Sequence, residues 1–127
     1  MNIITEDYVS FNVAKLLKEK GFTFNNCNTY YTLQGEICKI GKSQEIGIAP
    51  RPTLQMAIKW LRKKHNLVIS TSITIDGWNS NISQIKLDNK KFIIDIINGI
   101  DNGNIPNYDT YEKACESAIK YCLENLI

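Results

Sequence analysis

The stretch Leu67-Val68-Ile69-Ser70-Thr71-Ser72-Ile73-Thr74-Ile75-Asp76-Gly77-Trp78 decides the fold class. Ile69, Thr71, Ile73 and Ile75 alternate with Val68, Ser70, Ser72 and Thr74, and a period of two is the mark of a strand with one face on a core. Asp-Gly is the dipeptide that a tight hairpin turn prefers, because its glycine accepts positive φ without steric cost. The chain is therefore expected to turn at Asp76-Gly77, return over Trp78–Leu87, turn again at Asp88-Asn89 and run forward over Lys91–Ile97. That last run is apolar almost throughout, which predicts a central strand. The three segments form an antiparallel meander.

Working outward, helices flank the meander. Thr53 is suited to cap a helix reaching His65, with Leu54, Ala57, Ile58 and Leu61 at the i, i+3, i+4, i+7 spacing of a core-facing stripe. Asn66 tolerates the left-handed conformation and can end it. The preceding Pro50-Arg51-Pro52 excludes helix and central strand, since each proline fixes φ and lacks an N–H. Toward the C-terminus, Asp109 and Glu112 have the spacing of a capping box. They introduce a helix over Thr110–Asn125 whose inner face is Ala114, Cys115, Ala118, Ile119, Cys122, Leu123 and Leu126. Toward the N-terminus, Ser10 caps a helix carrying Val13, Ala14, Leu16 and Leu17 and stopped by Gly21, after which Phe22 and Phe24 fold back. Short strands are expected at Thr29–Leu33 and Glu36–Ile40 around Gln34-Gly35, with a further one at Glu45–Ile48.

The predicted class is α+β. An antiparallel sheet, made of the three-stranded C-terminal meander plus one or two shorter N-terminal strands, is packed by three helices in the order α-β-β-α-β-β-β-α. At 127 residues, a single domain over 1–127 with its own core is expected.

The same sequence excludes several function classes. No apolar run approaches the ~20 residues that span a bilayer, and the N-terminus lacks a basic-then-apolar leader. A cytoplasmic protein is expected, with no membrane partner. Its four cysteines, Cys27, Cys38, Cys115 and Cys122, are then reduced thiols. Their spacing fits no zinc motif and His65 is the single histidine, so neither metal nor cofactor is expected. No phosphate-binding glycine loop, dinucleotide fingerprint, nucleophile elbow or metalloprotease helix occurs. A Cys–His nucleophile would need His65 beside an exposed thiol, whereas two of the cysteines fall on a core face. Asp76 and Asp88 are explained as turn residues. Asp95, flanked by Ile93, Ile94, Ile96 and Ile97, is expected to meet a cation or several donors.

Net charge is only +2, but it is unevenly spread. No acid occurs from Ile46 to Ile75, which holds Arg51, Lys59, Arg62, Lys63 and Lys64, while Asp101, Asp109, Glu112, Glu116 and Glu124 dominate the C-terminal end. Lys59, Arg62 and Lys63 are neighbours on one helical face. With Arg51 and Trp60 they could hold phosphates and stack a base, although a solvated helix face needs no such role. Trp78, Tyr30 and Tyr31 stand near loop ends, where aromatics line pockets or pack on sheets. The candidate ligand- or partner-binding residues are thus Arg51, Lys59, Trp60, Arg62, Lys63 and Trp78, with no catalytic residue.

The segments Ser10-Phe11, Ala14–Phe22, Pro52-Thr53-Leu54, Lys59-Trp60-Leu61-Arg62, His65-Asn66 and Tyr108–Ala114 resemble a small α+β protein family scattered through gut Bacteroidota genomes, their phages and other mobile elements. The resemblance covers the three helices and the hairpin, and its shared residues are caps and core. It implies a mobile-element origin and a common fold, and it carries over no active-site residue. The expectation is a non-enzymatic binding protein, a homo-oligomer, that counters host defence by binding a defence protein or sequestering a phosphorylated or nucleotide signal. The alternative is a nucleic-acid accessory protein using the basic face of the second helix.

Overall fold

The computed structural model describes residues 4–23, 27–39, 49–89, 91–97 and 107–127, with backbone alone for Phe92, Ile93, Asp95, Ile96 and Ile97. The elements are α1 (Phe11–Glu19), β1 (Thr29–Tyr31), β2 (Ile37–Lys39), β3 (Ala49–Pro50), α2 (Leu54–His65), β4 (Leu67–Thr74), β5 (Gly77–Asp88), β6 (Lys91–Ile97) and α3 (Tyr111–Asn125). The architecture is α+β with antiparallel pairing throughout, as the sequence predicts. The strands form two sheets, ordered β2-β1-β3 and β4-β5-β6. The chain divides into two compact units, Met1–Ala57 and Ile58–Ile127.

In the first unit, Ser10 caps α1 by accepting from the Val13 N–H at 3.3 Å. At the other end Gly21, with φ of 101°, lets its own N–H reach the Lys18 carbonyl and the Phe22 N–H reach the Leu17 carbonyl. This paired closure brings Phe22 down beside Leu17, and both are buried. Val9, Val13, Ala14, Leu17, Tyr30, Tyr31 and Ala49 complete this core. β1 and β2 pair around a turn in which Gly35 has φ of 79°. The expected strand at Glu45–Ile48 and the fate of Phe24 fall outside the described residues; the third strand seen is Ala49–Pro50, at the sheet edge. An edge suits Pro50, which has no N–H to give to a ladder. The backbone of Asp7–Val9 is stitched to the same segment, with Val9 N–H donating to the Pro52 carbonyl at 3.1 Å and Leu54 N–H to the Asp7 carbonyl at 2.9 Å.

α2 starts as read, with the Thr53 hydroxyl accepting from Met56 N–H at 3.1 Å, and stops at Asn66, whose φ is 57°. In the second unit α3 lays Ala114, Cys115, Ala118, Ile119, Cys122 and Leu123 against β4 and β5, where Leu67, Ile69 and Ile82 are buried. Full burial of an aliphatic side chain stabilises by about 1.5–3 kcal/mol. The Thr71 hydroxyl lies 2.7 Å from that of Ser80 and 3.3 Å from the Cys115 sulfur, satisfying three buried or half-buried polar atoms together.

Four sequence expectations shift. The cap of α3 is Thr110, which accepts from Lys113 N–H, while Asp109 stands one residue outside and pairs with Lys113 at 2.9 Å. β6 is an edge strand among the described residues and β5 is central; Ile94 is 62% exposed. Apolar content is therefore no guide to position in this sheet. The hairpin turn is Ile75-Asp76, with Gly77 already paired to Thr74. Its glycine is required by a different neighbour. Trp78 exchanges backbone hydrogen bonds of 2.8 and 2.9 Å with Tyr108, and a Cβ on Gly77 would lie 2.7 Å from the Tyr108 carbonyl oxygen. Ile73 and Ile75, read as half-buried, are 66% and 100% exposed because they project with the hairpin tip.

Two predictions follow from this packing. Gly77→Ala combines a φ of 132° with that clash and should cost about 1–3 kcal/mol, read by urea unfolding; an unchanged midpoint would refute the close approach. Burial pushes the Cys122 thiol up to about 12. The folded state then keeps a proton that the unfolded chain loses above its ordinary thiol range. Stability from this group is intact below that range and falls as pH rises toward the folded value, by up to about 1.4 kcal/mol per pH unit. Unfolding free energies at pH 8 and 10 should fall more steeply for the wild type than for Cys122→Ala.

Candidate functional site

A cleft of about 400 Å³ opens in the first unit, lined by Tyr8, Cys27, Asn28, Arg51, Pro52, Thr53 and Met56. Its volume lies in the range of small-ligand sites. Three segments meet there: the stretch before α1, the approach to β1, and the link from β3 into α2. Their backbones are tied to one another, Tyr8 bridging Thr53 and Arg51 N–H donating to the Thr29 carbonyl at 2.9 Å.

Arg51 is the charged member of the lining. Its guanidinium carbon stands 3.8 Å from the Tyr8 ring centroid and 5.7 Å from that of Tyr31. Such stacking contributes from about 0.5 kcal/mol at the surface to about 2 kcal/mol when dry. Nη1 donates to the Thr29 hydroxyl at 3.3 Å, and that hydroxyl donates in turn to the Arg51 carbonyl at 3.1 Å. The buried Nε has no acceptor among the described residues. A guanidinium offers five N–H donors, so this one is held in place by stacking more than by saturated hydrogen bonding. Among the described residues, no acidic side chain lines the cleft, and the first turn of α2 contains none.

The cleft has little reactive chemistry. Burial pushes the Cys27 thiol up, with smaller opposing contributions from the backbone groups of Arg51 and Thr29, so the sulfur is a protonated thiol at neutral pH. Among the described residues, no three His, Cys, Asp or Glu side chains gather to hold a metal ion, and no helix is long and apolar enough to cross a membrane.

The six residues singled out from sequence occupy different settings. Arg51 lines the cleft. Lys59, Arg62 and Lys63 are exposed on α2, as is Lys64. Trp60 is half-buried with its ring 4.9 Å from His65 in an edge-on contact. Trp78 is half-buried too, edge-on to Tyr111 at 5.5 Å, in the packing role open to it from the sequence. Tyr30 and Tyr31 are core residues, and the Tyr31 hydroxyl donates to the Val9 carbonyl at 2.6 Å. The side chain of Asp95 lies outside the described residues; its backbone pairs with Gln84. Sequence reading missed Tyr8, Asn28 and Met56 as lining residues. Only the proline-flanked Arg51 gave a local sign of the site.

Comparison with protein-family models, with curated proteins and with solved structures finds no match to the chain.

Proposed function

We propose that this chain is a small non-enzymatic binding protein that holds an anionic small molecule, a phosphorylated or nucleotide signal, in the cleft around Arg51. The observation that carries the reading is the Arg51 guanidinium stacked on Tyr8 in a cleft of ligand size that no acidic side chain lines among the described residues. A cation fixed in this way loses little conformational freedom when an anion arrives, and preorganisation of that kind raises affinity. The Thr53 and Asn28 side chains add polar partners, while Tyr8 and Met56 offer apolar surface to a base or sugar. The protonated Cys27 and the lack of a catalytic motif favour occupancy over turnover. A phage or mobile-element origin, with the ligand a signal of host defence, is the biological setting that the family resemblance suggests; direct capture of a defence protein is the protein-level version of the same role.

A thermal-shift screen of the full chain with inorganic phosphate, nucleoside phosphates and cyclic dinucleotides tests the proposal. At least one should raise the melting temperature, and Arg51→Ala should weaken that compound at least about tenfold, the scale of a lost charge-assisted hydrogen bond. Circular dichroism of the variant checks that its fold is kept. Failure of every compound at millimolar concentration would reject the cleft reading.

A second reading rests on the exposed row Lys59, Arg62, Lys63 and Lys64 on α2, none of which forms an ion pair among the described residues. Here the chain is a nucleic-acid accessory protein gripping an exposed backbone. Binding would be weak and fall steeply with salt. Replacing Lys59, Arg62 and Lys63 together by glutamate should abolish a gel shift with the melting temperature nearly unchanged, and a gel shift that survives would eliminate this reading.

A further inference from the structure

β4 stands at the edge of its sheet among the described residues, and the hydrogen-bond direction along β5 shows which of its backbone groups face outward. Trp78 spends both its N–H and its C=O on Tyr108, on the side away from β4, whereas Ile85 N–H donates to the Asn66 carbonyl, on the β4 side. Backbone direction alternates along a strand. The β5 residues Gly77, Asn79, Asn81 and Ser83 therefore point to β4, where their partners are Thr74, Ser72, Ser70 and Val68. Leu67, Ile69, Thr71 and Ile73 are left with N–H and C=O directed outward.

This edge lacks the usual protections. A bare strand edge is ordinarily blunted by charge, proline or a bulge. Residues 67–75 contain no charged residue and no proline, and the β4–β5 register runs without interruption. Ile73 and Ile75 stand exposed at its end.

The sequence of the edge is also nearly its own reverse. Around Thr71 it reads Ile69-Ser70-Thr71-Ser72-Ile73, flanked by Val68 and Thr74 and then by Leu67 and Ile75. A two-fold interface requires that residue i meet residue j and j meet i, and a palindrome satisfies this in one antiparallel register. We infer that β4 is the seam of a symmetric dimer, pairing antiparallel with β4 of a second copy about an axis at Thr71 to give one six-stranded sheet. In that register Ile69 meets the partner's Ile73, Thr71 meets the partner's Thr71, and Ser70 meets the partner's Ser72. The outward groups of Ile69, Thr71 and Ile73 all become hydrogen-bonded, and exposed Ile75 comes opposite the partner's Leu67. The seam lies wholly within the second unit and stands independently of the Arg51 cleft.

Light scattering on the full chain should give twice the 14.5 kDa chain mass, and Ile73→Lys, at an exposed position, should shift the dissociation constant at least tenfold toward monomer while leaving the circular-dichroism spectrum unchanged. The register has its own test. Ser70 and the partner's Ser72 form a non-hydrogen-bonded pair, with Cα atoms about 4.5 Å apart, within disulfide range. Ser70→Cys mixed with Ser72→Cys should crosslink under mild oxidation above the background of the wild-type cysteines, while either variant alone should not. A monomer at 100 µM, or a dimer indifferent to Ile73→Lys and lacking the mixture-specific crosslink, would overturn the inference.

Discussion

Two prolines hold Arg51 in place, and the first unit is assembled around that constraint. Pro50 and Pro52 are both fully buried, and their rings fix φ on either side of the arginine. Each gives up an N–H, so this segment can join a ladder only from an edge and only through its remaining groups. It does so economically. Ala49 and Pro50 pair with β1, Arg51 N–H reaches Thr29, the Pro52 carbonyl takes Val9 N–H, and Thr53 caps α2. The stretch before α1, the small sheet and the start of the second helix are thereby tied to five consecutive residues. The Arg51 side chain emerges from this rigid turn directly onto Tyr8.

That arrangement separates the chemistry available at two positive places on the chain. The guanidinium of Arg51 is stacked, hydrogen-bonded and partly shielded, and charge in such a setting acts over short range with definite geometry. The lysines and arginine of α2 are exposed on long flexible stems, where salt screens them and each contact is weak. A small anion suits the first setting and an extended backbone the second. Among the described thiols, Cys122 is buried on the inner face of α3 and burial keeps Cys27 neutral.

What could be read from sequence was what depends on near neighbours. Ser10, Gly21, Thr53 and Asn66 punctuate helices through contacts within a few residues, and all four do so as expected. The α3 core face followed from its 3.6-residue period. Errors arose where a distant partner decides. Asp-Gly favours turns and so places Gly77 in the turn, whereas the passing backbone at Tyr108 is what excludes a side chain there. The isoleucines of β6 suggest a central strand, whereas among the described residues β6 pairs with β5 alone and lies at an edge. The cleft was the least legible feature: Tyr8, Asn28 and Met56 belong to segments far apart in sequence and carry no periodicity or motif that could announce their meeting.

The most direct test of the account is to map ligand contact by amide chemical-shift perturbation in ¹⁵N-labelled full chain, titrated with a nucleoside phosphate. The account predicts saturable shifts confined to Tyr8, Cys27, Asn28, Arg51, Thr53 and Met56 and their immediate neighbours. Shifts gathered instead on Lys59, Arg62 and Lys63, or none at millimolar ligand, would contradict it.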